Sequence, residues 1–563
     1  MKLNSKFVYS VREVITFKEL IETSVERYAN KEAFLFHKGD EIVTVTYQQY
    51  LDEIKALSAY LNSKGLSGKK IAVSGKNSYN WALTYMAVAC GVGIIVPLDK
   101  DLPIDEAEYV LTDSGTSTVM VSEELEEKFE NTLFCEKLYM KDMPLYIEEG
   151  KKLIENGDTS YEDHKIDPNG LSILIYTSGT TGVAKGVMLS QRNVCSNIIG
   201  ICRYVNLYPT DRTVSILPLH HTYECTIGFV AFLYGGASIA YNESLRTLKS
   251  DLQLFKPTIF IAVPMILESF LKIIKDKYNS IPGGNAVFAL QKAAAKMLSE
   301  NEKKKLFKTV NQAFGGNLRI ILSGAAPLSP EVHKAYESFG VKVYIGYGLT
   351  ETSPVSLMHN DFYRTWEDNG YPPADVSVKI LDPDEYGRGE LAVKGKNVML
   401  GYYNMPEETA SVLKDGWFRT GDLAQMRDNG AIKIIGRLKS MIVAKNGKKI
   451  FPEELEFKLL KNECIKECMV FGSGSDMDPT ITAAIYPDRE LMEKNLGVKF
   501  EENPSEYAAL IKKYFAEYVE KVNSANINYK AITKIIIREK EFEKTTTRKI
   551  KRNSSENLKE NMD

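Results

Sequence analysis

The sequence predicts an α/β protein, and three observations along the chain carry that prediction. Short β-branched runs alternate with helix-length segments from the N-terminus to about residue 350. From about 376 the texture changes to short strands and turns rich in Gly and Asp, as in VSVKILDPDEYGRGELAVKGKNVML. After Gly436 it changes again, to a Lys/Glu-rich mixture of strands and amphipathic helices. In order, the first part offers the strands KKIAVSG (69–75), GIIVPL (93–98), STVMVS (117–122) and LSILIYTSG from 171. TVSILPL, ASIAY, PTIFIAV, LRIILSG and VKVYIGYG follow. Strands alternating with helices predict parallel sheets covered on both faces. The 376–436 stretch predicts an antiparallel sheet or small barrel. The last part combines KSMIVAKNGKKI and AITKIIIREK as strands with PEELEFKLLK and EYAALIKKYFAEYVEKV as helices, and a boundary falls at 437–440. The terminal NSSENLKENMD reads as frayed.

Composition narrows the function classes. The 563 residues are 44% hydrophobic and 26% charged, values of a globular protein with about three or four folding units. Lys plus Arg number 71 against 74 for Asp plus Glu, a net charge of −3. No global basic excess draws in nucleic acid, so any polyanion must be held locally. Seven irregularly spaced cysteines form no disulfide framework, and Cys464 and Cys468 have no following His to complete a zinc site. MKLNSKFVYSVREV lacks an apolar core and is not read as a signal peptide. Asn77 to Leu98 carries no charge, but Gly91, Gly93 and Pro97 break it into a buried helix and a buried strand rather than a membrane span. The expected location is cytoplasmic, with peripheral membrane contact left open.

The sharpest local signal is ILIYTSGTTGVAKG, residues 173–186. An apolar strand runs into Thr177, Ser178, Gly179, Thr180, Thr181 and Gly182, with Lys185 and Gly186 closing the loop. Glycines let successive N–H groups turn toward one anion, hydroxyls add donors, and lysine supplies charge. This composition points to a polyphosphate cradle. It is not a Walker A loop, because no G-x-x-x-x-G-K-[ST] occurs. Gly387-Arg-Gly389-Glu-Leu-Ala392 fits the loose dinucleotide pattern but opens no helix, and no G-x-S-x-G elbow exists. His220 and His221 are adjacent, and the expectation is that neighbours cannot both point one way, which argues against a metal pair. Lys303, Lys304, Lys305 and Lys308 read as a solvated helix face, a membrane surface being the alternative.

With this loop the sequence resembles the adenylate-forming superfamily, and most closely its bacterial long-chain fatty-acyl-CoA synthetases. The resemblance continues in order through LPLHHTYE (217–224), SGAAP (323–327), YGLTET (347–352), GELAVKG with GYY (389–403), GWFRTGD (416–422), GRLKSMIV (436–443) and KTTTRKIKR (544–552). It implies a large N-terminal domain, 1–436, of two helix-covered, mostly parallel sheets plus a small β-barrel at about 376–436. A hinge at 437–440 would lead to a smaller, mobile α+β domain, 441–563. The implied reaction joins a fatty acid, medium to long chain, to ATP as acyl-AMP, then passes the acyl group to coenzyme A. ATP, Mg²⁺ and coenzyme A are the implied cofactors and co-substrates.

The resemblance also implies residue roles. Thr177 through Gly182 and Lys185 would hold the β- and γ-phosphates, with Thr350 on the α-phosphate. Glu351 and Thr177 would hold Mg²⁺. Gly324, Ala325 and Ala326 would let adenine lie close, with Tyr347 stacking on it and Gly348 beside it. Asp422 would accept from the ribose hydroxyls, assisted by Arg437. His221 and Gly346 would line the acyl pocket. Lys549 would neutralise the transition state of adenylation, and Gly447, flanked by Lys445, Lys448 and Lys449, would line the tunnel for coenzyme A. Lys439 stands at the pivot where Asp is frequent, and Arg548 stands where many members have Gly. Two alternatives stay open: transfer to a carrier protein, and a non-catalytic nucleotide-binding homologue.

Overall fold

The computed structural model describes residues 9–130, 135–177, 184–244, 246–444, 449–475, 478–524, 526, 530–544, 550–552 and 554–558. The chain divides into two compact units. One comprises Met1–Lys379, Ala392–Arg419 and Arg427–Lys433; the other comprises Ile380–Leu391, Thr420–Met426 and Ile434–Asp563.

The larger unit is built on a seven-stranded sheet. Its strands run in the spatial order Gly401–Tyr402, Lys185–Leu189, Ile173–Thr177, Ile94–Leu98, Lys70–Ser74, Thr118–Val121 and Glu136–Tyr139. The last five are parallel, and Lys185–Leu189 runs antiparallel to Ile173–Thr177. Ile71, Ala72, Val73, Ile95, Val96 and Val119 are all fully buried, as a sheet covered on both faces requires. Pro97 is tolerated in this central strand because Ile95↔Ile173 is its one register pair with the neighbouring Ile173–Thr177.

Helices start where the sequence supplies caps. Thr46 accepts from the Gln49 N–H while Gln49 reaches back to the Thr46 N–H, opening the helix Tyr47–Ser63. Ser190 and Asn193 do the same for Gln191–Cys202. The charge-free stretch forms the helix Tyr79–Gly91, capped by Ser78 and buried on every side, followed by the strand Ile94–Leu98. Among the described residues no helix is long and apolar enough to cross a membrane.

Two four-stranded sheets complete this unit. One has the order Glu41–Thr46, Glu32–Lys38, Ser238–Tyr241, Arg212–Ser215; the other has Ile259–Ala262, Ile320–Ser323, Lys342–Gly348, Val355–Met358. They meet where the Thr258 N–H donates to the Arg212 carbonyl at 2.9 Å. Each holds a parallel core, and TVSILPL, ASIAY, PTIFIAV, LRIILSG and VKVYIGYG supply five of their strands.

In the smaller unit, the antiparallel pair Ile465–Ser475 and Asp478–Pro487 carries Lys534–Ile537 as a third, parallel strand. The helices Pro452–Leu459 and Pro504–Ser524 contribute Leu455, Leu459, Ile511, Phe515 and Val519 to its core. A five-stranded sheet is formed within residues 376–437, the span predicted to be antiparallel or barrel-like. All seven cysteines are unpaired thiols; six are buried and Cys135 is half-buried.

Candidate active site

The strands on either side of the Ser/Thr/Gly loop, Ile173–Thr177 and Lys185–Leu189, pair antiparallel. Thr177 lies directly opposite Lys185, and Tyr176 opposite Gly186. The two ends of the cradle are therefore fixed by sheet register. Ser178, Gly179, Thr180, Thr181 and Gly182 lie outside the described residues. The Lys185 ammonium pairs with Glu408 Oε2 at 2.8 Å and stands 5.3 Å from the centre of the Tyr402 ring. Glu408 belongs to the helix Pro406–Val412, which opens with Pro at its first turn.

Glu351 sits in the one-turn 3₁₀ segment Thr350–Thr352, just beyond the strand Lys342–Gly348. Three sets of hydrogen bonds hold the turn. The Leu349 N–H donates to the Pro354 carbonyl at 3.0 Å, the Thr352 hydroxyl donates to the same carbonyl at 2.7 Å, and Asn397 donates to the Thr352 carbonyl at 3.0 Å. The Glu351 carbonyl also accepts from the Met399 N–H at 2.9 Å. With the backbone fixed, its side-chain Oε1 accepts from the Tyr402 hydroxyl at 2.8 Å. Tyr402 is positioned by its own strand, which pairs with Lys185–Leu189 through Tyr402↔Val187. One tyrosine thus links the carboxylate to the lysine.

The remaining predicted residues of this unit gather at C-terminal ends of parallel strands, where open α/β sheets place their ligands. Gly324, Ala325 and Ala326 follow Ile320–Ser323, with Gly324 buried and both alanines exposed. Ser323 registers with Ile345, so Gly346, Tyr347 and Gly348 carry their strand beyond the end of Ile320–Ser323, paired there with Met358, Leu357 and Val355. A β-carbon on Gly324 would stand 3.1 Å from the Tyr223 ring, and one on Gly348 would overlap the Pro354 carbonyl at 1.7 Å. These glycines are needed for close packing. A β-carbon on Gly346 would meet nothing nearer than 3.9 Å, consistent with a glycine lining open space.

His221 is half-buried in the loop after Arg212–Ser215. The expectation that His220 and His221 diverge does not hold. Their ring centres are 4.1 Å apart at 59°, because residues 219–221 form a turn and bend rather than an extended strand with alternating faces. Asp99 joins them, and one ligand atom from each of the three lies within 4.8 Å of the others.

Sequence reasoning gave no role to Glu224, although it ends the LPLHHTYE block. It opens a seven-residue π-helical segment, Glu224–Val230. Its carboxyl is buried and accepts from the Ser215 hydroxyl at 2.6 Å. Burial pushes its pKa up to about 8, against the lowering effect of the Ser215 hydrogen bond. Gly228 leaves it room, since a β-carbon there would stand 2.6 Å from the carboxyl.

In the smaller unit, Asp422 is almost fully buried and pairs with Arg437 Nε at 3.1 Å, while Arg437 is about half exposed. The Asp422 N–H donates to the Thr420 hydroxyl, which donates to the Leu391 carbonyl at 2.8 Å. Gly421 between them has φ +69°, a left-handed value that favours glycine, and its N–H donates to Glu390 at 3.0 Å. Lys439 is exposed within the 3₁₀ turn Leu438–Ser440. Gly447 and Lys549 lie outside the described residues. The segment holding Lys549 is flanked by an antiparallel bridge, Lys544↔Ile550.

Within each unit, then, predicted residues converge. Tyr402 and Glu408 were missed as individual residues. GYY was visible as a block, but only a fold shows which tyrosine reaches Glu351.

Comparison with known proteins agrees with this geometry. Residues 21–403 match the family model described as AMP-binding enzyme, and 439–561 match the AMP-binding enzyme C-terminal domain. The chain is 27% identical to long-chain-fatty-acid–CoA ligase 4 of Saccharomyces cerevisiae, over 83% of this chain and 76% of that protein. It is 28% identical to long chain acyl-CoA synthetase 5 of Arabidopsis thaliana, over 84% and 79% respectively. The crystal structure of ATP-bound MatB from Rhodopseudomonas palustris superposes with a TM-score of 0.74 at 22% identity, covering 95% of this chain and 97% of that one. With one family model covering residues 21–403 and the other 439–561, and with a tyrosine linking carboxylate and lysine at the site, this chain is a member of the AMP-binding enzyme family.

Proposed function

We propose that this protein activates a fatty acid of medium to long chain with ATP, forming acyl-AMP, and transfers the acyl group to coenzyme A. The observation that carries the reading is the join of Glu351, Tyr402 and Lys185, in a chain whose relatives are long-chain acyl-CoA ligases. In the first step a carboxylate oxygen bonds to the α-phosphorus of ATP and the bond to pyrophosphate breaks. Anion meets anion, so fixed positive charge and N–H donors must be in place beforehand. Lys185 and the loop hydroxyls hold the β- and γ-phosphates, Thr350 contacts the α-phosphate, and Lys549 brings the charge that the crowded phosphorus needs. Gly324, Ala325, Ala326, Tyr347 and Gly348 take the adenine, and Asp422 with Arg437 takes the ribose.

Glu351 and Thr177 offer the hard oxygen donors that suit Mg²⁺, an ion that keeps several waters and bridges one or two carboxylates to substrate phosphates. When bound, it neutralises charge on the phosphates. His221 and Gly346 border the acyl group. In the second step the thiolate of coenzyme A attacks the acyl carbonyl and AMP leaves. The segment around Lys439 is proposed as the pivot that exchanges Lys549 for the loop at Gly447 between the two steps.

Contact with a membrane surface is part of the proposal, because a long-chain acid arrives from a bilayer. The helices Pro264–Asn279 and Gly284–Ala295 present Met265, Ile273, Val287 and Leu290 to solvent among Lys272, Lys277 and Lys296. Apolar side chains among lysines fit an anionic bilayer. Flotation with anionic vesicles, lost on Leu290→Asp and absent with neutral vesicles, is the expected result.

The deciding experiment measures AMP release over a series of fatty acids with and without coenzyme A, in the parent and in Lys549→Ala. Loss of acyl-AMP formation with retained thioester formation from supplied acyl-AMP is expected. Equal loss of both halves overturns the role of Lys549. Turnover only with a carrier-protein thiol moves the acceptor away from coenzyme A.

A further inference from the structure

We propose that Asp99, His220 and His221 form a binding site for a borderline divalent transition-metal ion, Zn²⁺ by donor chemistry. Among the described residues they are the one grouping of three ligating side chains with all donor atoms within 4.8 Å. Two imidazoles and a carboxylate form the kind of three-ligand set that zinc accepts while keeping a fourth position for water or another small ligand.

The geometry is set before any ion arrives. Asp99 follows the strand Ile94–Leu98, and its Oδ1 accepts from the Asp101 N–H at 2.9 Å, which turns Oδ2 toward His220. The histidine turn is clamped by Asn77. Its amide donates to the Leu217 carbonyl at 2.6 Å and the Ser215 hydroxyl at 2.9 Å, and its oxygen accepts from the Leu219 N–H at 3.0 Å. The His221 N–H closes the turn onto the Pro218 carbonyl at 3.1 Å. Asp99 and His220 are 8% and 7% exposed, so little water competes for the donors.

The separation of His220 Nε2 from Asp99 Oδ2 is 3.3 Å. That is long for an N–H···O hydrogen bond, and it matches the roughly 3.3 Å edge of a tetrahedron whose bonds to zinc are about 2.0–2.1 Å. The Lys128 ammonium, anchored on the Lys100 carbonyl at 2.7 Å, interacts with Asp99 as well. This positive charge and the open fourth position hold the affinity below that of a closed four-ligand zinc site. The site uses none of Lys185, Glu351 or Tyr402, and one of its three donors, His221, is the histidine proposed above to border the acyl group.

The test titrates the full chain, free of ATP and Mg²⁺, with CoCl₂ and then with ZnCl₂. The expected result is one Co²⁺ per chain with the intense visible bands of a four-coordinate ion, displaced by Zn²⁺. Asp99→Asn and His220→Asn should each weaken binding by about 10- to 100-fold, the range for a lost ligand or ligand partner. Far-UV circular dichroism and melting establish that at least one variant folds as the parent does. Absence of stoichiometric binding, a weak six-coordinate spectrum, or parent-like affinity in a folded variant overturns the proposal.

Discussion

The carboxylates at the two candidate sites are held in opposite ways. In the larger unit, Glu351 is half-buried on a turn fixed by several backbone hydrogen bonds, and a neutral tyrosine hydroxyl donates to it. In the smaller unit, Asp422 is almost fully buried, and its partner is a guanidinium that is itself about half exposed. A carboxylate held by a neutral donor keeps its charge available for a cation. One already paired with a solvent-facing cation works as an acceptor whose partner can give way to a ligand hydroxyl. The difference matches the two roles proposed for them, charge neutralisation for Glu351 and hydroxyl recognition for Asp422.

The largest effect that would break this comparison is expected from Glu351→Gln. It removes the charge and keeps the Tyr402 hydrogen bond, so acyl-AMP formation should fall about a thousandfold, as for loss of a transition-state electrostatic contact. Pyrophosphate-exchange assays read it directly, and a loss under tenfold would show that Glu351 only braces the turn. Arg437→Ala should cost about tenfold, mostly in KM for ATP, because Asp422 remains as acceptor but loses a charged partner. A pure kcat effect would contradict recognition of the nucleotide.

A smaller effect sharpens the picture at Lys185. Its ammonium is engaged by Glu408, which is itself about half exposed. Glu408→Gln frees the lysine for phosphate, and KM for ATP should drop about two- to threefold, the worth of an exposed pair. A raised KM would instead make Glu408 part of the ATP site.

The smallest effect concerns stability. The folded chain binds the Glu224 proton more tightly than the unfolded chain does, since its pKa rises from 4.5 to about 8. The stabilisation is complete below about pH 4.5 and is lost as pH rises through about 8. Glu224→Gln is neutral throughout, so relative to the parent it should gain a few degrees in Tm near pH 9 compared with pH 5. Parallel Tm–pH curves would show that the buried carboxyl is not protonated.

Much of the scaffold was legible because its signals are local. VGIIVPL and LRIILSG are continuous apolar runs with turn residues after them, as buried parallel strands require. The Thr46/Gln49 and Ser190/Asn193 caps need only neighbours three residues apart. The functional pairings are another matter. Glu351 meets Tyr402 across 51 positions and Lys185 meets Glu408 across 223, and no periodicity reports such separations. The histidine pair failed for a different reason. Alternation of neighbours belongs to extended chain, and Pro218 followed by a turn cancels it. Residues in the Ser/Thr/Gly loop were found by composition alone, which does not report that the strands on either side of it pair antiparallel.

The buried thiols have a practical consequence. Burial pushes Cys202 and Cys225 up to about 12 and raises Cys90, Cys195 and Cys468 as well, so almost none is thiolate at neutral pH. A cysteine placed in solvent, for example at Glu490 on the helix Arg489–Leu496, would have an ordinary pKa and react with maleimide far faster. With half-buried Cys135 changed to serine, one dye would report on the smaller unit alone. The chain is thereby ready for single-site fluorescence, with its six buried cysteines left in place.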